Sequence, residues 1–240
     1  MYGWKARLGI MPTMDDMVLE PELYAMAPEG VAIYASRLHK PNSDTTVETQ
    51  SMAIESVDRC VDELILARPK VICFGSTSAS FVGGVDYDSK IIEKIQKRSN
   101  GIPGTTVSTA LVNALKALGS KRVSVVTPYV EELNLKERAF LEGKGFEVVS
   151  LNGMNLVTSD DICNLSPETV HEFALKKFDT SADTLVFSCT GLHTAPIMES
   201  IERELGRPVV SSNVVTLWQM LRISGVNDPV PKFGTLLREH

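Results

Sequence analysis

Short apolar runs of strand length recur along the chain, each bounded by Gly, Pro, Ser or Thr. The clearest are Arg7–Met11, Val71–Phe74, Val123–Thr127 and Thr184–Ser188, with a weaker one at Pro208–Ser211. Between them the apolar positions change to helical spacing. Val57, Val61, Leu64 and Ile65 fall at i, i+4, i+7 and i+8 and mark one face of a helix. Ala110, Leu111, Ala114, Leu115 and Leu118 do the same and stop at Gly119, a residue suited to the turn after a helix. Ser166-Pro167 supplies a capping hydroxyl and a first-turn proline, which predicts a helix running to about Phe178. Strands alternating with helices over the whole length predict an α/β fold with mostly parallel strands covered on both faces.

The pattern also repeats. Val71–Ser80 and Leu185–Thr194 are both apolar strands running into small hydroxyl or thiol residues. Gly101–Thr109 follows the first, with a helix closing at Gly119; Gly206–Asn213 follows the second, with a helix closing at Gly225. Two pseudo-symmetric α/β halves are implied, each offering strand ends to a shared cleft. The boundaries that suit this reading assign residues 1–110 and 215–240 to the first half and 111–214 to the second. In open α/β sheets, ligands sit beyond the carboxyl ends of the strands.

Composition narrows the functional class. The chain has 240 residues, 43% hydrophobic and 22% charged, an ordinary globular balance that leaves out disordered and collagen-like classes. A net charge of −6 offers nucleic acid no attraction. No apolar run approaches the roughly 20 residues of a membrane span, and no apolar segment of a signal peptide precedes the first strand. The four cysteines, Cys60, Cys73, Cys163 and Cys189, are far apart without a CxxC pair, which points to a reduced, cytoplasmic setting. Exposed apolar helix faces are compatible with a homo-oligomer.

Chemistry concentrates in two loops after buried strands, Gly75-Ser76-Thr77-Ser78 and Ser188-Cys189-Thr190-Gly191. Helices starting there would aim unpaired N–H groups at the cleft, suiting carboxylates and, better, an oxyanion. A thiol at such a helix start is expected to have a lowered pKa. Cys189 stands one residue past its apolar run, among hydroxyl residues. Cys73 lies within its strand, and Cys60 and Cys163 belong to helical segments, so these three read as core. Ser76, Thr77 and Ser78 suit helix capping as well as ligand binding, and Tyr129 suits the cleft as well as an amphipathic rim. His193 is four residues beyond Cys189 and reads as a helix-start residue. Asp15, Asp16 and Glu20 carry no metal-loop pattern, so no metal is expected. The absence of GxGxxG, GxxxxGK[ST] and GxSxG gives no support to nucleotide chemistry or serine hydrolysis, and no cofactor is expected.

Several segments in order carry a family resemblance: Glu20-Pro-Glu-Leu-Tyr24 with Ala27-Pro-Glu-Gly30, Gly75–Phe81 with Gly83-Gly84, Thr127-Pro-Tyr129, Ser188-Cys-Thr190, and Arg207–Asn213 with Leu217-Trp218. Over nearly its whole length the chain resembles the aspartate/glutamate racemase superfamily, in the branch of arylmalonate decarboxylase and maleate cis–trans isomerase. The resemblance implies two pseudo-symmetric halves with one cysteine facing the substrate from each. The second matches Cys189; the first falls at Ser76, a departure from the two-thiol pattern that arylmalonate decarboxylase shares. It further implies a dioxyanion hole of Thr77, Ser78 and Tyr129 with backbone N–H groups at Ser78 and Thr190. Cys189 becomes the proton donor and Asn213 a contact to a second carboxylate. Asp16 stands where isomerases commonly carry Asn.

The expected function is cofactor-independent decarboxylation of a small dicarboxylate through an enediolate. One alternative is a maleate isomerase or amino-acid racemase whose first cysteine has become Ser76; another is a catalytically silent carboxylate binder. Substrate specificity is expected to come from the segments 38–47 and 156–162.

Overall fold

The computed structural model describes residues 2–240. Eight strands form two separate four-stranded sheets: β1 (Ala6–Pro12), β2 (Val31–Ala35), β3 (Val71–Gly75) and β4 (Gly104–Thr106) in one, β5 (Arg122–Thr127), β6 (Glu147–Gly153), β7 (Thr184–Phe187) and β8 (Val209–Ser211) in the other. The strand orders, β2-β1-β3-β4 and β6-β5-β7-β8, are the same pattern, and every pairing is parallel. The internal repeat is therefore real at the level of topology.

The central strands are the ones whose apolar runs are continuous. Val71-Ile-Cys-Phe and Thr184-Leu-Val-Phe are buried at every position, as strands covered on both faces must be. The edge strands β2 and β6 alternate less cleanly and are half-buried along much of their length. Helix ends follow local chemistry. Ser166 caps Pro167–Lys177 by accepting from the Thr169 N–H, and the helix Val107–Ala117 ends just before Gly119, which takes φ +68°.

Symmetry extends to the helices after β4 and β8. Thr106 and Ser211 cap Val107–Ala117 and Ser212–Ile223 in the same way, and these two helices pack against each other between the halves. Ser212–Ile223 touches β3 and β4 as well as its own β8. A division at residue 215 thus cuts through a helix. The last helix, Thr235–Glu239, lies on β8 of the second half, because the Glu202 carboxylate accepts N–H bonds from both Val209 and Thr235.

The two halves are also joined over the cleft. Asp44 and Thr158 form an antiparallel bridge, with the Thr45 N–H donating to Val157 O at 2.6 Å and the Ser159 N–H to Ser43 O at 2.8 Å. No helix among the described residues is long and apolar enough to cross a membrane.

Candidate active site

Carboxyl ends of β1, β3, β5 and β7 converge on a cavity of about 30 Å³ between the halves. Seven of the eight residues singled out from sequence line it: Asp16, Ser76, Thr77, Ser78, Tyr129, Cys189 and Thr190. Asn213 does not. It is fully buried behind the Thr190 loop, its amide donating to Thr190 O at 3.1 Å and to Glu22 Oε2 at 2.7 Å. The expected contact between Asn213 and a carboxylate is replaced by a support role, because Glu22 and the Thr190 carbonyl already take both amide protons.

Glu22 is the centre of that support. Its carboxylate accepts from the Thr194 and Ala195 N–H groups at 2.8 and 2.9 Å, tying a helix of the first half to the chain just after Cys189. Burial pushes its pKa up, opposed by Asn213 and the two backbone donors. Asp16 is held similarly: its Oδ1 accepts from the Val18 and Leu19 N–H groups at 2.8 and 2.9 Å, at the start of helix Leu19–Met26.

On the first half, Ser76 occupies the N-cap position of helix Thr77–Phe81, yet its hydroxyl makes no capping bond. It donates instead to Gln50 Oε1 at 3.4 Å. The Thr77 hydroxyl donates to Ser212 at 2.8 Å, so donation to a bound oxyanion requires it to turn from Ser212. Ser78 lies against the Tyr129 hydroxyl.

On the second half, Tyr129 is 1% exposed and its backbone is clamped: the Thr127 hydroxyl accepts its N–H at 3.1 Å, and the Asn134 amide donates to its carbonyl at 3.2 Å. Gly153 is required beside this clamp, since a Cβ there would sit 2.3 Å from both Tyr129 O and Asn134 Nδ2. Burial, with the neighbouring Cys189 and Glu137, pushes the Tyr129 pKa well above the usual phenol value, so the hydroxyl stays a donor.

Cys189 faces this hydroxyl and receives the Gly191 N–H at 3.4 Å. Burial drives its pKa up; the Tyr129 and Gly191 contacts only partly oppose this, and the charges of Asp16 and Cys163 add to it. The sequence-based expectation of a lowered pKa is corrected. The loop 188–194 leads into a single 3₁₀ turn at Ala195–Ile197, so no helix starts at Cys189, and desolvation dominates.

Cys163 also lines the cavity, contrary to its reading as a core residue. It is the last residue of helix Ser159–Cys163, and burial raises its pKa to about 11, with a Met17 N–H opposing and Asp16, Asp15 and Asp160 adding. A Cβ on Gly191 would lie 3.1 Å from Cys163 Sγ and 3.7 Å from Cys189 Sγ, so both thiols approach the bare side of this glycine. His193 is turned away from Cys189, with Nε2 2.9 Å from Cys163 O.

Lys40, Thr45, Gln50, Ser159 and Thr13 complete most of the wall and were not singled out as individual residues. Lys40 is 1% exposed and pairs with Asp15 at 2.7 Å. Burial opposes ionisation of Asp15, but Lys40 and the Ser159 and Thr13 hydroxyls outweigh it and hold the carboxyl below its ordinary range. Asp15, Asp16 and Glu20 are thus engaged by Lys40, by backbone N–H groups and by Arg37 respectively, and no group of three potential metal ligands occurs among the described residues.

The cavity thus brings hydroxyl groups and two buried thiols together at the carboxyl ends of the strands. The fold is shared with known enzymes. An arylmalonate decarboxylase family model matches residues 14–237. The chain is 29% identical over 197 residues to arylmalonate decarboxylase of Bordetella bronchiseptica, covering 81% of this chain and 82% of that one. It is 28% identical to maleate isomerase of Alcaligenes faecalis, covering 96% of each. The crystal structure of a maleate isomerase variant from Pseudomonas putida S16 with maleate superposes with a TM-score of 0.91 at 25% identity, covering 97% of each chain. The shared fold, the length of the match and the enzymatic nature of these relatives lead to one assignment: the chain belongs to the arylmalonate decarboxylase family of enzymes.

Proposed function

We propose that the protein decarboxylates a small dicarboxylate without a cofactor, through an enediolate that Cys189 protonates. The observation that carries this reading is that Cys189 lines the cavity from the second half while the first half offers a hydroxyl, Ser76, and no thiol. Thiol addition to a double bond needs a thiolate, whereas carbanion protonation needs the S–H form, and burial favours the S–H form.

In the proposed step, the bond between the α-carbon and one carboxylate breaks and CO₂ leaves. The electron pair moves into the enediolate of the remaining carboxylate. Tyr129, Ser78 and Thr77 donate to its oxygens, helped by the backbone N–H groups of Ser78 and Thr190. The Cys189 Sγ–H proton then passes to the α-carbon, and the thiolate regains a proton from solvent when product leaves. Cys163 stands beside Cys189 on the same half, so the second thiol does not supply an acid on the opposite face.

Replacing Cys189→Ser should remove at least about 99% of turnover, while dissociation constants for malonates measured by calorimetry change less than about threefold. A Cys189→Ser protein with unimpaired turnover would sink the proton-donor role. A Ser76→Cys protein separates the isomerase reading: conversion of maleate to fumarate by wild type, enhanced by the added thiol, would favour it over decarboxylation.

A further inference from the structure

Beyond the hydroxyl hole, the cavity is walled by hydrogen-bonding side chains. Lys40, Thr45 and Gln50 come from the segment after β2, Thr13 follows β1, and Ser159 begins its helix. Ile162 is the one aliphatic side chain among the lining residues. An apolar ring against such a wall would leave its donors unpaired.

The wall carries donors with spare capacity. The Lys40 ammonium has one short partner, Asp15; its contacts to Asp44 O and Ser159 Oγ are 3.3 and 3.5 Å, long for N–H···O bonds. Gln50 is 3% exposed, and with its Oε1 accepting from Ser76, no acceptor among the described residues takes its amide protons. One acceptor faces the same space: Asp16, whose Oδ1 alone is engaged by backbone N–H groups. A neutral hydroxyl satisfies both kinds of group, accepting from an ammonium or amide and donating to a carboxylate. A third carboxylate would meet Asp16, and an aryl group would leave the donors unpaired.

Building on the decarboxylase reading above, we infer that the substrate is a small dicarboxylate whose remaining substituent bears a hydroxyl, recognised by Lys40 and Gln50, rather than an aryl malonate. Hydroxymalonate is the simplest probe. The full chain carrying Cys189→Ser, titrated calorimetrically, should bind hydroxymalonate at least about tenfold more tightly than phenylmalonate. Adding Lys40→Met should weaken hydroxymalonate binding about tenfold and leave phenylmalonate unchanged or improved. Gln50→Leu breaks no ion pair and should act in the same direction, so the test survives a Lys40 variant that fails to fold. Phenylmalonate binding as tightly as hydroxymalonate, or no binding of hydroxymalonate, would overturn the inference. Carbon dioxide release by the wild-type protein is read separately. Selective hydroxymalonate binding without CO₂ release would retire decarboxylation and leave the substituent rule standing, whereas CO₂ release with phenylmalonate preferred would do the reverse.

Discussion

Glu137 shows how much a single buried group adjacent to the site can govern. It is 1% exposed on helix Glu131–Gly143, and burial raises its pKa to about 8, with the Ser188 hydroxyl offsetting little. The folded protein therefore holds a proton that the unfolded chain loses near pH 4.5. Stability should fall as pH rises from there towards 8, by roughly 3.5 kcal/mol between pH 5 and 8. Glu137→Gln keeps the shape without the titration, and urea midpoints of the variant should be flatter across that range than those of wild type. A wild-type decline unchanged by the substitution would exclude Glu137 as its source. At Gly191 the constraint is steric. Gly191→Ala brings a methyl group against both thiols, and it should lower turnover at least about tenfold with a smaller change in stability, measured by kinetics and thermal unfolding.

At the scale of elements, the repeated caps make a paired prediction. Thr106 and Ser211 each accept one N–H at the start of equivalent helices, so Thr106→Ala and Ser211→Ala should each cost about 1 kcal/mol by denaturant titration. A near-zero cost at either position would break the equivalence of the two halves. Much of this layer was legible from residues. Continuous apolar runs announced β1, β3, β5 and β7, and Ser166-Pro167 announced its helix to within a residue. The strands β2, β4 and β6 were not announced. β4 is three residues long, and β2 and β6 are half-buried edges in which polar and apolar positions mix. The site followed the same rule. Cys189, Ser76, Thr77, Ser78 and Tyr129 sit next to recognisable strand ends, so the chain itself points to them. Lys40 falls in the segment 38–47 expected to set specificity, but neither it nor Gln50 belongs to a motif that marks it individually, and Cys163 reads as a core helix residue. Only the meeting of segments distant in sequence turns these three towards the cavity.

The whole molecule is two halves held by the packed helices between them, by Glu22 and by the bridge at Asp44 and Thr158. Thr45 and Ser159, next to that bridge, both line the cavity, and burial raises the Cys189 pKa. Thr45→Pro removes the N–H that donates to Val157 O. It should admit water, lower the thiol pKa, speed alkylation of Cys189 by iodoacetamide several-fold at pH 7.5 and raise KM. Alkylation no faster than in wild type would detach the bridge from the thiol's protonation. In the proposed reaction an enediolate formed by loss of CO₂ takes its proton from Cys189. Proton NMR in D₂O with hydroxymalonate, methylmalonate, phenylmalonate and maleate tests it most directly. The proposed reaction requires CO₂ loss from a malonate with one deuteron gained at the α-carbon, and loss of this reaction in Cys189→Ser. Malonates left untouched while maleate becomes fumarate, or undiminished decarboxylation by the Cys189→Ser protein, would contradict it.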